Sequence, residues 1–156
     1  MDRLHKILVL LLVAAIPAGA PYYFASPVAA CFTSGTVTYR MAQDATTPDY
    51  RVRIDNNAAN PSLRLRLADR AESANFVLVD DFTAGLGNPC QTAGVIKTIK
   101  IVGNEPADLT ISLSRDAEAK HALYVHSARF SHADGAALFA VLQSANAPRE
   151  VASAAR

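Results

Sequence analysis

The 156-residue chain has no tryptophan, only two cysteines and a formal net charge of +1. Several motifs are also missing. Neither Gly-x-Gly-x-x-Gly nor a P-loop occurs, so nucleotide binding gets no support. Ser34 and Ser131 lack the Gly-x-Ser-x-Gly setting of a hydrolase elbow. Asp80 and Asp81 open no Asp-x-Asp-x-Asp-Gly calcium loop, and a strand end entering a loop accounts for them. His121, His126 and His132 fit no zinc spacing. His121 and His126 stand an odd number of places apart in one strand and so point to opposite faces. His126, His132 and Asp134 are left as the geometrically possible grouping. The residues therefore imply no catalytic set, no metal and no cofactor.

Charge is absent between Lys6 and Arg40. Arg3 and Lys6 precede the apolar run Ile7–Ile16, and small residues follow, as in a secretory signal peptide. The run is short for a spanning helix of about 20 residues, and Pro17 and Pro21 interrupt its extension. Residues 1–30 are read as the signal peptide, 31–145 as one β-rich domain and 146–156 as a loose tail. An uncleaved N-terminal anchor is the alternative. Val28-Ala29-Ala30-Cys31 also resembles a lipobox, which would lipidate Cys31. Without Asp2, Arg3 and Lys6 the remainder holds 13 basic and 13 acidic residues. That argues against a polyanion binder driven by net charge, and no nucleic-acid partner is expected.

What is present is a repeat. Val37-Thr-Tyr-Arg-Met41, Tyr50-Arg-Val-Arg-Ile54, Leu63-Arg-Leu-Arg-Leu67 and Phe76-Val-Leu-Val-Asp80 start thirteen residues apart. In the first three, apolar residues take the odd places and Arg or Thr the even ones, the period of a strand with one buried face. The connectors between them are turn-rich, apart from Asp69–Ala74, which is suited to a single helical turn. The longest loop is expected after Val79. A second group echoes the first: Ser62–Asp81 aligns without gaps on Asp108–Ser127, giving strands near 96–102, 109–113 and 121–126. The units at 109 and 122 keep the thirteen-residue step. Cys31-x-Thr-Ser-Gly and Cys90-x-Thr-Ala-Gly head the two groups, which favours a Cys31–Cys90 disulfide in an oxidising compartment over lipidation.

Eight connecting residues reach at most about 28 Å, and a five-residue strand covers about 17 Å. Hairpins are comfortable at that length, whereas a parallel return needs nearly extended connectors. The expected fold is mainly β (α+β), with about seven short strands in two related groups. They would form an antiparallel sheet or small sandwich, with a solenoid-like stack as the alternative. A C-terminal helix capped by Ser131, with Asp134 in its first turn, should cover one side of the sheet through Leu138, Val141 and Leu142.

The phrase Leu63-Arg-Leu-Arg-Leu-Ala-Asp-Arg-Ala-Glu-Ser-Ala-Asn-Phe-Val-Leu-Val-Asp80 resembles the short β-repeats, about 13 residues each, of small uncharacterised bacterial proteins. Their pattern runs Ala-Asp-Leu-x-Val-x-x-Val-Asp. Ala74-Asn75-Phe76 and Ala107-Asp108-Leu109 match it best, while Val37, Tyr50 and Leu63 lack the preceding Ala-Asp. The resemblance covers about two thirds of the mature chain. It implies a compact β-repeat architecture and carries no activity to transfer.

Arg40, Arg51, Arg53, Arg64 and Arg66 occupy even places, so neighbouring strands would gather them on one outer face. Such a face suits phosphate or carboxylate; its plainer reading is a solvated sheet surface. Loop carboxylates of Asp44, Asp49, Asp55, Asp69 or Glu72 are the available partners. The leading expectation is a non-enzymatic periplasmic or secreted envelope module. Its Arg-rich face would meet an anionic envelope component or an acidic protein, with membrane contact only if the N-terminus is anchored. One alternative is a small periplasmic hydrolase or isomerase around His126, His132 and the Gly85–Asn88 loop. Another is a structural lipoprotein anchored through Cys31.

Overall fold

The computed structural model describes residues 30–79, 90–91, 94–115 and 119–146. The expected signal segment up to residue 29, the loop 80–89 and the tail from 147 lie outside the described residues. The strands are β1 (Cys31–Ser34), β2 (Val37–Met41), β3 (Tyr50–Ile54), β4 (Leu63–Leu67), β5 (Phe76–Val79), β6 (Val95–Val102), β7 (Leu109–Ser114) and β8 (His121–His126), followed by α1 (His132–Asn146). The helical turn expected in the third connector is a 3-10 turn, Ala71–Ser73. Among the described residues there are eight strands rather than seven. The lead-in Cys31–Ser34 pairs with β2 through a two-residue turn in which Gly35 has φ +60, a conformation that glycine adopts without a Cβ penalty.

The two groups interdigitate. The sheet order is β1-β2-β6-β3-β7-β4-β8-β5, and every pairing except β1–β2 is parallel. The expectation of an antiparallel sheet or sandwich is thereby corrected, and stagger is the reason. Met41 and Tyr50 both sit opposite Ile99, so β2 ends level with the start of β3. A connector has only to cross one strand sideways and never returns along its length. The same holds at Ile111, opposite both Ile54 and Leu63, and at Leu123, opposite both Leu67 and Phe76.

Each strand is therefore displaced by two residues from its neighbour. Tyr39, Ile99, Val52, Ile111, Leu65, Leu123 and Leu78, one from each of β2 to β8, are all buried and form one core ring. On the first group's strands these residues are thirteen apart; Ile99, Ile111 and Leu123 are twelve apart. The gapless alignment of the two groups, with its thirteen-residue step at 109 and 122, is corrected accordingly. The advance along the sheet is common to both groups, and the second group's repeat is one residue shorter, with longer strands and six-residue connectors.

A two-residue stagger, about 6.6 Å along the strand for each 4.8 Å across, tilts the strands by roughly 54° and curls the sheet. The curl brings its two edges together: Phe32 on β1 and Phe76 on β5 lie with ring centroids 6.5 Å apart. No backbone pairing joins those two strands among the described residues.

Inside the curl runs α1. Seven consecutive residues, Gly135–Val141, are buried, nearly two turns with every face covered. The helix does not cover one side of a sheet, as its leucine stripe suggested; the sheet wraps it. Its small residues (Gly135, Ala136, Ala137, Ala140) fit a narrow interior, and Phe139 reaches Phe76 and His121, at 5.0 and 5.5 Å between centroids. Ser131 caps it as expected: its hydroxyl accepts from Asp134 N–H at 3.1 Å, and Asp134 Oδ2 accepts from Ser131 N–H at 2.9 Å.

Candidate functional site

Strand alternation puts the even places of the first group on the outside, away from α1. The outer residues fall on two further rings flanking the core ring. One runs Arg40, Lys100, Arg53, Ser112, Arg66, and the other runs Thr38, Thr98, Arg51, Thr110, Arg64. All five predicted arginines thus share the outer face, although a strand of the second group stands between each pair of arginine-bearing strands. Lys100 joins them opposite Arg51. Its signal was its own alternation: Thr98, Lys100 and Val102 occupy the same side of β6.

The connectors cross this outer face, and three arginines reach up to them. Arg53 donates through Nε to Gly103 O at 2.9 Å and through Nη2 to Glu105 O. Arg64 donates to Ala59 O at 3.2 Å, and Arg66 to Ser73 O at 3.4 Å. Arg40 is exposed, Arg51 is half-buried, and neither side chain has a hydrogen bond among the described residues. Not one of the five is in an ion pair among the described residues. Three of the five loop carboxylates proposed as their partners are used otherwise, and Asp44 and Glu72 pair with none of the arginines among the described residues. Asp69 pairs with Arg115 at 3.1 Å, Asp49 with Lys97 at 2.9 Å, and Asp55 accepts from Asn57 N–H. Among the described residues Lys100 has only a long contact with Glu105, 3.9 Å.

The residue just before a strand has a role that the repeat pattern did not reveal. Thr98 N–H donates to Asp49, Thr110 N–H to Ser62, Ala122 N–H to Asn75 and Arg51 N–H to Asp108. Stagger leaves an N–H without a strand carbonyl at these four steps, and a short polar side chain supplies the acceptor. Asp49 and Ser62 thus do the work of the Ala-Asp position where that motif is missing.

Asp49 is the most engaged. Burial pushes its carboxyl up, but bonds from Thr98 N–H, Lys97 and the Thr98 hydroxyl, with the Lys97 charge, outweigh burial and hold it below its usual range. The hydrogen bond to Asp49, with its charge, raises Lys97 in turn. Tyr39, nearby on the core face, is raised by burial and then by Tyr50.

The histidines do not converge. His121 shares the core-face row with Leu113 and Leu65 and meets Phe139, whereas His126 lies on the outer face beside Tyr124, rings stacked at 6.4 Å. Asp134 is engaged with Ser131, and no group of three metal-ligating side chains occurs among the described residues. The Gly85–Asn88 loop of that alternative lies outside the described residues.

Cys31 and Cys90 form a disulfide with 5.3 Å between Cα atoms. Its sulfur is committed, so the structure opposes lipidation at Cys31. The bond belongs to an oxidising setting. No described helix is long and apolar enough to cross a membrane.

No family model, curated protein or solved structure matches the chain. The arginine face must be read from its own chemistry. Among the described residues three of its guanidiniums meet carbonyls and none meets a carboxylate, an arrangement that leaves their charge uncancelled.

Proposed function

We propose that this protein is a non-enzymatic, exported envelope module that binds an anionic partner through its arginine face. One observation carries the reading: five outward guanidiniums sit on one face, and none is neutralised by a carboxylate among the described residues. The carbonyl bonds of Arg53, Arg64 and Arg66 orient their charges without cancelling them. A planar fork fixed at one edge keeps its remaining N–H groups for phosphate or carboxylate. The Cys31–Cys90 bond supports an exported setting.

The variant to test replaces Arg40, Arg51 and Arg64 by Ser and spares Arg53, which ties down a connector. Retention of the purified protein on isolated bacterial envelopes is measured against salt. The wild type should be released as salt rises, and the variant should be released at markedly lower salt. Equal retention of both proteins, with no salt dependence, sinks the proposal.

A further inference from the structure

We infer that the anionic partner is a flexible linear polyanion laid around the molecule, not a flat lipid surface; this rests on the arginine-face reading above. The thirteen-residue repeat turns into a girdle. Arg40, Arg53 and Arg66 hold one repeat position and Arg51 and Arg64 another, and each repeat moves two strands around the curled sheet. With Lys100, the cations run from β2 through β6 and β3 to β4, then stop. Farther on, the same rings carry Tyr124, Val77 and Val79, none charged.

The extent follows from the tilt. Strands 4.8 Å apart and inclined by roughly 54° each take up about 8 Å of circumference. Four strand steps from β2 to β4 therefore spread the cations over about 33 Å, half of a circumference of about 65 Å. On a cylinder of about 10 Å radius, the outward directions at the two ends are nearly opposed. A plane touches such a cylinder along a line and reaches the cations of one or two strands. A flexible chain can follow all of them. Their separation, about 7 Å within a strand, about 12 Å between the nearest residues of successive arginine-bearing strands and about 16 Å along one ring, suits charges repeated along a polymer. Net charge near zero does not oppose this, because counterion release depends on the cations in contact rather than on the sum.

The experiment compares affinities of the full mature domain, disulfide intact, for tripolyphosphate, long-chain polyphosphate, polygalacturonate and phosphatidylglycerol vesicles at several salt concentrations. Polyphosphate against polygalacturonate separates phosphate polymers from carboxylate polymers. A long chain should bind at least tenfold more tightly than tripolyphosphate at equal phosphate concentration and more tightly than vesicles at equal accessible charge. Arg40→Ser and Arg64→Ser, on the outermost of the three arginine-bearing strands, should each weaken long-chain binding and lower its salt slope by about one unit. Equal affinity for short and long chains, or preference for vesicles, overturns the girdle while leaving the arginine-face reading in place. Binding to none of the four probes overturns both. Thermal unfolding of each variant within a few degrees of wild type keeps a folding defect from being mistaken for lost binding.

Discussion

Replacing Gly135 by Ala measures whether the sheet truly encloses the helix. On a helix with an open face, the change should stabilise by up to about 1 kcal/mol. Here the added Cβ would lie 2.6 Å from Val125 Cγ2, with Leu78 Cδ2 at 3.6 Å and Leu123 Cδ1 at 3.8 Å. Val125 is β-branched and has few rotamers to move into. Leu78 and Leu123, 4% and 0% exposed, hold the adjoining space. Overpacking of this kind costs about 1–3 kcal/mol, which outweighs the gain in helix propensity. The net expectation is a loss of about 1 kcal/mol, a fall of about 4 °C in Tm. Urea unfolding followed by circular dichroism gives the value, and an unchanged m shows that the folded state is intact. Val125→Ala removes the clashing methyl, so adding Gly135→Ala to that background should stabilise it. A stabilising Gly135→Ala in the wild-type background would refute the enclosed helix.

Two further outcomes follow from the bonds described. Cys31→Ser with Cys90→Ser opens a closure across 59 residues. Chain entropy sets a ceiling of about 4 kcal/mol on the stability lost, read by chemical denaturation against the oxidised protein, whose intact mass should be two hydrogens lighter than its reduced form. Asp49→Asn should cost about 0.5–1 kcal/mol near neutrality, since the Lys97 pair is partly exposed and the Asn oxygen can still accept from Thr98 N–H. Because the Asp49 carboxyl is held below its unfolded value, its contribution is present above that value and disappears as pH falls through the folded one. The gap between wild type and variant should therefore close as pH falls; a gap that stays constant from neutral into acid contradicts the assignment.

Much of this fold could be read in the residues. Alternation in Leu63-Arg-Leu-Arg-Leu67 predicts its buried and wet faces, and Leu65 is fully buried. Ser131 and Asp134 announce the helix start. Direction could not be read, because it depends on where a strand begins relative to its neighbour. An eight-residue connector returns along a strand only when nearly extended, yet is ample to cross one. The single-residue difference between the two repeats depends on connector length, which carries no periodicity. The enclosed helix did have a signal: Gly135–Val141 contains no polar side chain, which marks a helix buried all round. At the arginine face, the residue types and the shared side were legible. The carbonyl bonds were not, since they depend on which connector passes over which strand.

Interdigitation governs how the chain can acquire its structure. Apart from the β1–β2 hairpin, each strand finds its partners more than forty residues away, as Tyr39 with Lys97 or Leu78 with Val125. A chain ending near Cys90 would hold β1 to β5 and lack every strand that should lie between β2, β3, β4 and β5. Such a piece has no half-domain to settle into. Folding must await the second group and then proceed as one slow, non-local event, with three apolar-faced strands, β3 to β5, unpaired beforehand. Two separately produced pieces, 30–89 and 90–146, should each be unstructured alone and assemble when mixed.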